Sequence, residues 1–198
     1  MKDKRLTQYK DGKGKKKAHA YLNRRYKKAI ENGFNFEAMM ISYNLVEDRL
    51  VAFLHYAGVV NRDAEKLTIA KKIRPLIRRV LNKNEKFRIN VSNIGVKLDI
   101  IEALTKMECC GDTYLTAVKE QLRKTVPIDQ LFDVVNQCKK WKDTRNTYVH
   151  GLANKNPDEV EQYAKEVAEK GHEISREIDR LVDRFKANNN IRKKFNLQ

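Results

Sequence analysis

Hydrophobic residues recur at steps of three and four positions along most of the chain, a spacing that predicts amphipathic helices. Helices are expected over residues 18–32, 35–56, 63–82 with a break at Pro75, 92–107, 113–124, 127–150 and 158–187. The sequence shows no pair of segments with the strict alternation typical of strands. Eight glycines and three prolines in 198 residues also suit long helices better than a sheet with many tight turns. The predicted fold class is therefore all-α.

The chain is long enough to bury one full hydrophobic core. The helix expected over residues 35–56 carries a clear core-facing stripe, and the helix over 158–187 has a single apolar seam suited to packing or dimerisation. The pattern divides the chain into a basic arm and helix over 1–34 (its first 17 residues a flexible tail), a helical domain over 35–187 and a C-terminal tail over 188–198.

Positive charge is concentrated at the N-terminus. The net charge is +16, and residues 1–28 supply +10 of it, with twelve Lys/Arg against Asp3 and Asp11. Such an arm favours a polyanionic partner, nucleic acid first and an anionic membrane surface second. Tyrosines among the cations can stack on bases, although the same helix could dock on the core and the tail could simply be solvated. The residues expected to contact RNA here are Lys15, Lys16, Lys17, Arg24 and Arg25.

Several classes of protein are excluded by what the sequence lacks. Cys109, Cys110 and Cys138 are an odd set without metal-ligand spacing, so neither a zinc site nor a disulfide framework is expected, and a reducing cytosol fits best. There is no glycine-rich phosphate loop and no glycine-flanked nucleophile. No segment is apolar enough for a signal peptide or a membrane span. We therefore expect a cytoplasmic protein with no metal, no cofactor and no membrane partner.

The segment from Asp143 to Gly151 carries the clearest candidate chemistry. Arg145 is followed directly by Asn146 and, five positions on, by His150, with Gly151 as a typical helix terminator. An arginine can stabilise a phosphate while a histidine moves the proton, which is sufficient to cleave RNA without a metal. The motif therefore predicts either a metal-independent ribonuclease or an inactive relative that still binds RNA.

Spacing alone does not establish this site. Arg49 and His55 also match the pattern, in an apolar helix, and with fifteen arginines about one such match is expected by chance. Five residues of a straight helix turn through roughly 500°, which leaves Arg145 and His150 about 140° apart. Convergence requires either a distortion near Gly151 or two subunits that face each other. Alternatively, His150 bonds the last helix carbonyls and Arg145 forms a salt bridge with Glu47.

The pattern Arg145-Asn146-x3-His150, placed between two long helices, resembles the Arg-x4–6-His motif of the HEPN superfamily. The helix that contains Tyr43 and Glu47 also resembles the first core helix of that family. The resemblance implies a four-helix up-and-down bundle core with additional helices inserted over 58–126, behind the basic N-terminal arm. It also implies a homodimer in which two motifs line one cleft.

The resemblance further implies a role for each site residue. His150 would act as general base or acid when the ribose 2′-OH attacks the adjacent phosphate, and Arg145 would stabilise the charge that develops there. Asn146 would orient a phosphate or the partner's histidine, Glu47 would orient Arg145, and Tyr148 would stack on a base or contact a phosphate. Such enzymes act in toxin–antitoxin, abortive-infection or other defence systems, so RNA and an antitoxin or regulatory protein are the expected partners.

Two further functions compete with the enzyme. A non-catalytic nucleic-acid-binding protein would use the basic arm and the cluster from Arg74 to Arg79 to neutralise phosphates. A protein-interaction module would use the seam of the helix over 158–187 to hold a partner. Loss of cleavage without loss of RNA binding in a His150 variant would separate the enzyme from both alternatives.

Overall fold

The structure is a computed structural model that describes residues 12–62, 67–84, 86, 88–106, 108, 111–150 and 154–197, with the side chains of residues 12, 13, 15 and 62 left out. The described part of the chain is all-α apart from one short hairpin, which confirms the predicted fold class. Its helices are α1 (Gly12–Glu31), α2 (Asn35–Tyr56), α3 (Arg74–Val80), α4 (Ile94–Lys106), α5 (Thr113–Thr125), α6 (Ile128–Val149), α7 (Pro157–Lys186) and α8 (Ile191–Lys194). Its strands are β1 (Val60–Arg62) and β2 (Leu67–Ile69).

Side-chain caps mark the beginnings of α7 and α5. The side chain of Asn156 accepts a hydrogen bond of 3.1 Å from the backbone N–H of Asp158, and Pro157 occupies the first turn of α7. The carboxylate of Asp112 accepts from two backbone N–H groups at the start of α5, each at 3.0 Å. The predicted and observed boundaries of α2, α6 and α7 agree to within one residue.

The helix predicted over residues 63–82 is wrong over residues 67–73 and confirmed over α3, while residues 63–66 lie outside the described residues. Strands β1 and β2 pair antiparallel, with Val60 opposite Ile69, and a 3₁₀ turn over Lys71–Ile73 leads into α3. Pro75 lies in the first turn of α3, where proline is tolerated, and so begins a helix instead of interrupting one. β-Branched residues at positions 59, 60, 68 and 69 favour the strands and are too few to give a visible alternation.

Both predicted tails contain helix. The backbone of α1 begins at Gly12, so residues 12–17 of the expected flexible tail are helical, consistent with the high helix propensity of lysine. At the other end, α8 lies within the expected tail over 188–198, and Ile191 and Leu197 are buried in the core. The ring of Phe195 meets Tyr114 edge-on, with centroids 5.5 Å apart.

The core forms where α7 packs along α2 and against α6, with α1 on α2 and α4 against both α2 and α6. The helices approach closely at Gly171, where an added Cβ would lie 2.6 Å from Trp141 Cζ2 and 2.7 Å from Ser42 Oγ. The indole N–H of Trp141 donates to the carbonyl of Val167 at 2.8 Å. The spacing of α2, α6 and α7 is therefore set at this point.

Substitution of Gly171 by alanine tests this spacing. In an ordinary helix interior the change would add roughly 1 kcal/mol of stability through helix propensity. Here we expect a loss of about 1–3 kcal/mol, because the methyl group overlaps the indole. Urea unfolding measures the difference, with exposed Glu169→Ala on the same helix as the control. A gain of stability in Gly171→Ala would show that the three helices are not held at this distance.

Asn23 of α1 is bonded to one histidine of its own helix and to one histidine of α7, and the second bond ties α1 to the core. The side-chain N–H of Asn23 donates to His19 Nδ1 at 3.1 Å, and the Oδ1 of Asn23 accepts from His172 Nε2 of α7 at 3.0 Å. Burial lowers the pKa of both imidazoles, and nearby Arg49 for His19 and Arg176 for His172 act in the same direction. The His172 ring also stacks on Tyr26 at 4.1 Å.

The hydrogen bonds of His19 and His172 with Asn23 predict that the stability of the fold depends on pH. Because the folded pKa values of His19 and His172 lie below the ordinary 6.5, the unfolded chain binds more protons than the folded chain below that pH. The stability that the two neutral imidazoles contribute is therefore fully present above about pH 6.5. It is lost as the pH falls through their folded pKa values. We expect urea unfolding free energies to decline more steeply in this window for the wild type than for His19→Gln/His172→Gln. Parallel pH curves for the two proteins would contradict the assignment.

Candidate functional site

The guanidinium of Arg145 lies on an aromatic ring of a neighbouring helix. Its Cζ is 4.4 Å from the centroid of the Tyr43 ring of α2, and Trp141, one turn earlier on α6, contacts the same ring at 6.2 Å between centroids. Nη2 of Arg145 is 3.3 Å from Met40 Sδ, and Nη1 is 3.3 Å from Asn146 Oδ1. The group is thus held by a cation–π contact and weak polar contacts.

Arg145 has no acidic partner among the described residues. Its Nε is buried and finds no hydrogen-bond acceptor in that part of the chain. Arg49, from the other Arg–His pair, differs sharply, because it forms ion pairs with Asp48 and, at 2.7 Å, with Asp179. Burying a polar group without a partner is costly, and the cost is relieved when an anion binds. Arg145 is therefore a cation with one unsatisfied buried donor and with no carboxylate partner in the described part of the chain.

Glu47 does not orient Arg145, and the predicted pairing is wrong. Its carboxylate lies 2.6 Å from Nζ of Lys97 in α4, which also donates to the carbonyl of Ser92 at 3.1 Å. Lys97 has a side chain with 0 % exposure and needs this partner more than Arg145 does. The sequence did contain a signal, because Lys97 lies within the apolar pattern of Ile94, Leu98 and Ile101.

His150 lies at the very end of α6 with an exposed side chain. Its backbone N–H still donates to the carbonyl of Asn146 at 3.0 Å, so the helix does not unwind before it. Arg145 and His150 therefore keep their separation of about 140° around the helix axis. Within one copy of the chain the side chain of Asn146 contacts that of Arg145. The side chain of His150 contacts neither of them.

Lys155, which sequence reasoning missed, takes the place expected of a capping histidine. Its ammonium donates to the carbonyl of Thr147 and, at 3.5 Å, to that of Tyr148. A cation here is favoured by the negative end of the helix dipole. The His150 side chain makes no hydrogen bond with any described residue and is left open for other contacts.

Two stacked tyrosines lie beside the end of α6. Tyr148 and Tyr163 of α7 have ring centroids 5.3 Å apart and planes 14° apart, and Tyr163 is 43 % exposed. Tyr148 lines two neighbouring depressions of about 280 and 340 Å³ along the junction of α6 and α7. The first includes Lys140 and Lys170 in its rim, and the second includes Lys155. Tyr163 was expected only as part of an apolar seam.

The cationic residues of α1 are divided between solvent and ion pairs. Lys16, Lys17 and Arg24 are exposed, and a shallow cavity at Lys17 and Arg24 contains Tyr21, which is 54 % exposed. Arg25 instead pairs with Glu37 of α2. The side chain of Lys15 lies outside the described residues. Lys16, Lys17 and Arg24 of the predicted set are therefore exposed to solvent, whereas Arg25 helps to hold α1 on α2.

None of the described helices is both long and apolar enough to cross a membrane. Within the described ranges, no three His, Cys, Asp or Glu side chains are grouped as metal ligands would be. Cys138 is buried, which raises the pKa of its thiol to about 12, while Cys109 and Cys110 lie outside the described residues.

A pair of substitutions tests whether Glu47 is structural. Glu47→Leu leaves the ammonium of Lys97 buried without its partner and is expected to cost about 3–5 kcal/mol in urea unfolding. Lys97→Met should cost less, because Glu47 is 30 % exposed and can be hydrated. The double variant should recover most of the loss. Additive losses in the double-mutant cycle would show that the two groups do not depend on each other.

Comparisons of the chain with family models, with curated proteins and with solved structures found no match. The geometry of the described residues is therefore the basis on which a function can be proposed.

Proposed function

We propose that the chain is a metal-independent endoribonuclease in which Arg145 and Asn146 of one copy act together with His150 of a second copy. The observation that carries the proposal is the guanidinium of Arg145, which has no acidic partner among the described residues and a buried Nε without an acceptor, and which lies between one and two turns of α6 from an exposed histidine. A cation kept without a carboxylate gains most when a phosphate arrives, and it gains more when charge develops on that phosphate.

The reaction follows from these groups. His150 removes the proton from the ribose 2′-OH, and the 2′-oxygen attacks the adjacent phosphorus. The bond from phosphorus to the 5′-oxygen then breaks, and the leaving oxygen takes a proton from an imidazolium or from water. Arg145 stabilises the added negative charge, and Asn146 fixes the guanidinium from one side. The products are a 2′,3′-cyclic phosphate and a 5′-hydroxyl end.

A second copy is proposed because one copy cannot complete the site. On a straight helix the two side chains point about 140° apart, and α6 is regular through Val149. Two motifs related by a two-fold axis would bring an arginine from one copy to a histidine from the other. The stacked Tyr148 and Tyr163 would then offer a platform for an unpaired base next to the cleaved bond. A cytoplasmic defence setting with an antitoxin partner remains part of the proposal, supported by the family resemblance.

A non-catalytic RNA-binding protein is the second candidate. The observation that favours it is the exposed face of α1, where Lys17 and Arg24 lie beside the exposed Tyr21 and Lys16 is also exposed. Cations beside an aromatic ring suit single-stranded RNA without any need for a histidine. The enzyme needs His150 as its general base, whereas the RNA-binding protein does not need this residue.

Cleavage of single-stranded RNA in EDTA tests the proposal. We expect cyclic-phosphate ends from the wild type and a rate lower by about 10²–10⁴-fold in His150→Gln, because the general base is lost. Arg145→Ala should lose about 10²–10³-fold. His55→Gln, in the other Arg–His pair, is the matched control and should retain the wild-type rate.

Mixing the two inactive variants tests the shared site. If each site takes Arg145 from one copy and His150 from the other, half of the dimers are mixed and each mixed dimer has one intact site. The mixture should then recover about a quarter of the wild-type rate. No cleavage by the wild type, with RNA bound equally by His150→Gln, would favour the binding protein instead.

A further inference from the structure

A cavity of about 570 Å³ lies between β2, α3 and the segment over residues 88–92. Its size is typical of small-molecule sites, which range over roughly 300–1,000 Å³. None of these elements carries Arg145, Asn146 or His150, so the cavity is separate from the candidate ribonuclease site.

Three arginines line this cavity. Arg74 and Arg78 are one turn apart on α3 and therefore share a face, and Arg88 comes from the segment on the other side. No acidic side chain is among the described residues that line it. The carbonyl of Ile69 accepts one hydrogen bond from Nη2 of Arg74, at 3.4 Å, which uses one of the five N–H donors of that guanidinium.

The rest of the lining is partly apolar and is bonded to the core at Ser92. Ile69 and Val91 are buried and form an apolar surface, and Asn90 and Ser92 add polar groups. The backbone N–H of Ser92 donates to Asn90 Oδ1 at 3.0 Å, and its carbonyl accepts from the buried Lys97. The ion pair of Lys97 with Glu47 thus anchors one wall of the cavity to α2.

We propose that this cavity binds a phosphate-bearing ligand of nucleotide size. The guanidinium groups of Arg74, Arg78 and Arg88 hold the phosphates, since arginine forms paired, charge-assisted hydrogen bonds with phosphate oxygens. The apolar surface at Ile69 and Val91 receives the less polar part of the ligand. The chain has no glycine-rich phosphate loop, so side chains rather than backbone N–H groups make the contacts. The phosphate can belong to a free nucleotide or to the phosphorylated end of an RNA.

Isothermal titration at physiological salt tests this site with ATP, with pyrophosphate and with a short RNA carrying either a 5′-phosphate or a 5′-hydroxyl. We expect ATP or the 5′-phosphorylated RNA to bind, and Arg74→Gln or Arg88→Gln to weaken that binding about tenfold or more, the loss typical of a charge-assisted hydrogen bond. Tighter binding of ATP identifies a nucleotide ligand, and tighter binding of the phosphorylated RNA identifies an RNA end.

The matched control is Arg79→Gln, which removes the same charge next to Arg78 at a position that pairs with Asp112 outside the cavity. This variant should bind within about twofold of the wild type, because at physiological salt a charge outside the cavity is largely screened. Equal losses in Arg79→Gln and Arg88→Gln, or no binding of ATP and phosphorylated RNA by the wild type, would overturn the proposal. His150→Gln should bind these ligands normally, so failure here is distinguishable from failure of the ribonuclease function.

Discussion

The close approach of α2, α6 and α7 at Gly171 is the constraint on which the rest of the structure depends. Only a residue without a side chain leaves room for the indole of Trp141, whose N–H is bonded to the backbone of α7. Trp141 then contacts Tyr43 on α2, and the next turn of α6 places Arg145 on the same ring. The position of the candidate phosphate-binding cation is therefore a consequence of helix packing.

Three partly or fully buried cations, Lys97, Arg49 and Arg145, differ in whether a carboxylate lies beside them. Lys97 is matched by Glu47, and Arg49 is matched by Asp48 and Asp179, as expected for charges removed from water. Arg145 instead rests on an aromatic ring and keeps a buried N–H without an acceptor. Of these three cations, Arg145 is the one without a carboxylate partner in the described part of the chain.

The sequence predicts the long helices well and the site only in part. The apolar stripes of α2, α6 and α7 span many turns, so their boundaries follow from the local pattern and, for α7, from the Asn156 cap. The β1–β2 hairpin was missed because strands of three residues give no usable periodicity. The partners of Glu47 and of the α6 carbonyls, Lys97 and Lys155, depend on contacts between elements that no local pattern encodes. The α6 motif itself, with Arg145 and Asn146 adjacent, was visible in the sequence.

The central claim is that Arg145 is held ready for a phosphate, and the NMR signal of its side-chain Nε–H group tests this most directly. Titration with a non-cleavable dinucleotide should shift the Arg145 signal, because a buried donor without an acceptor gains one. The signal of Arg49, already paired with Asp48 and Asp179, should stay in place. An unmoved Arg145 signal, or equal shifts of both arginines, would contradict the account.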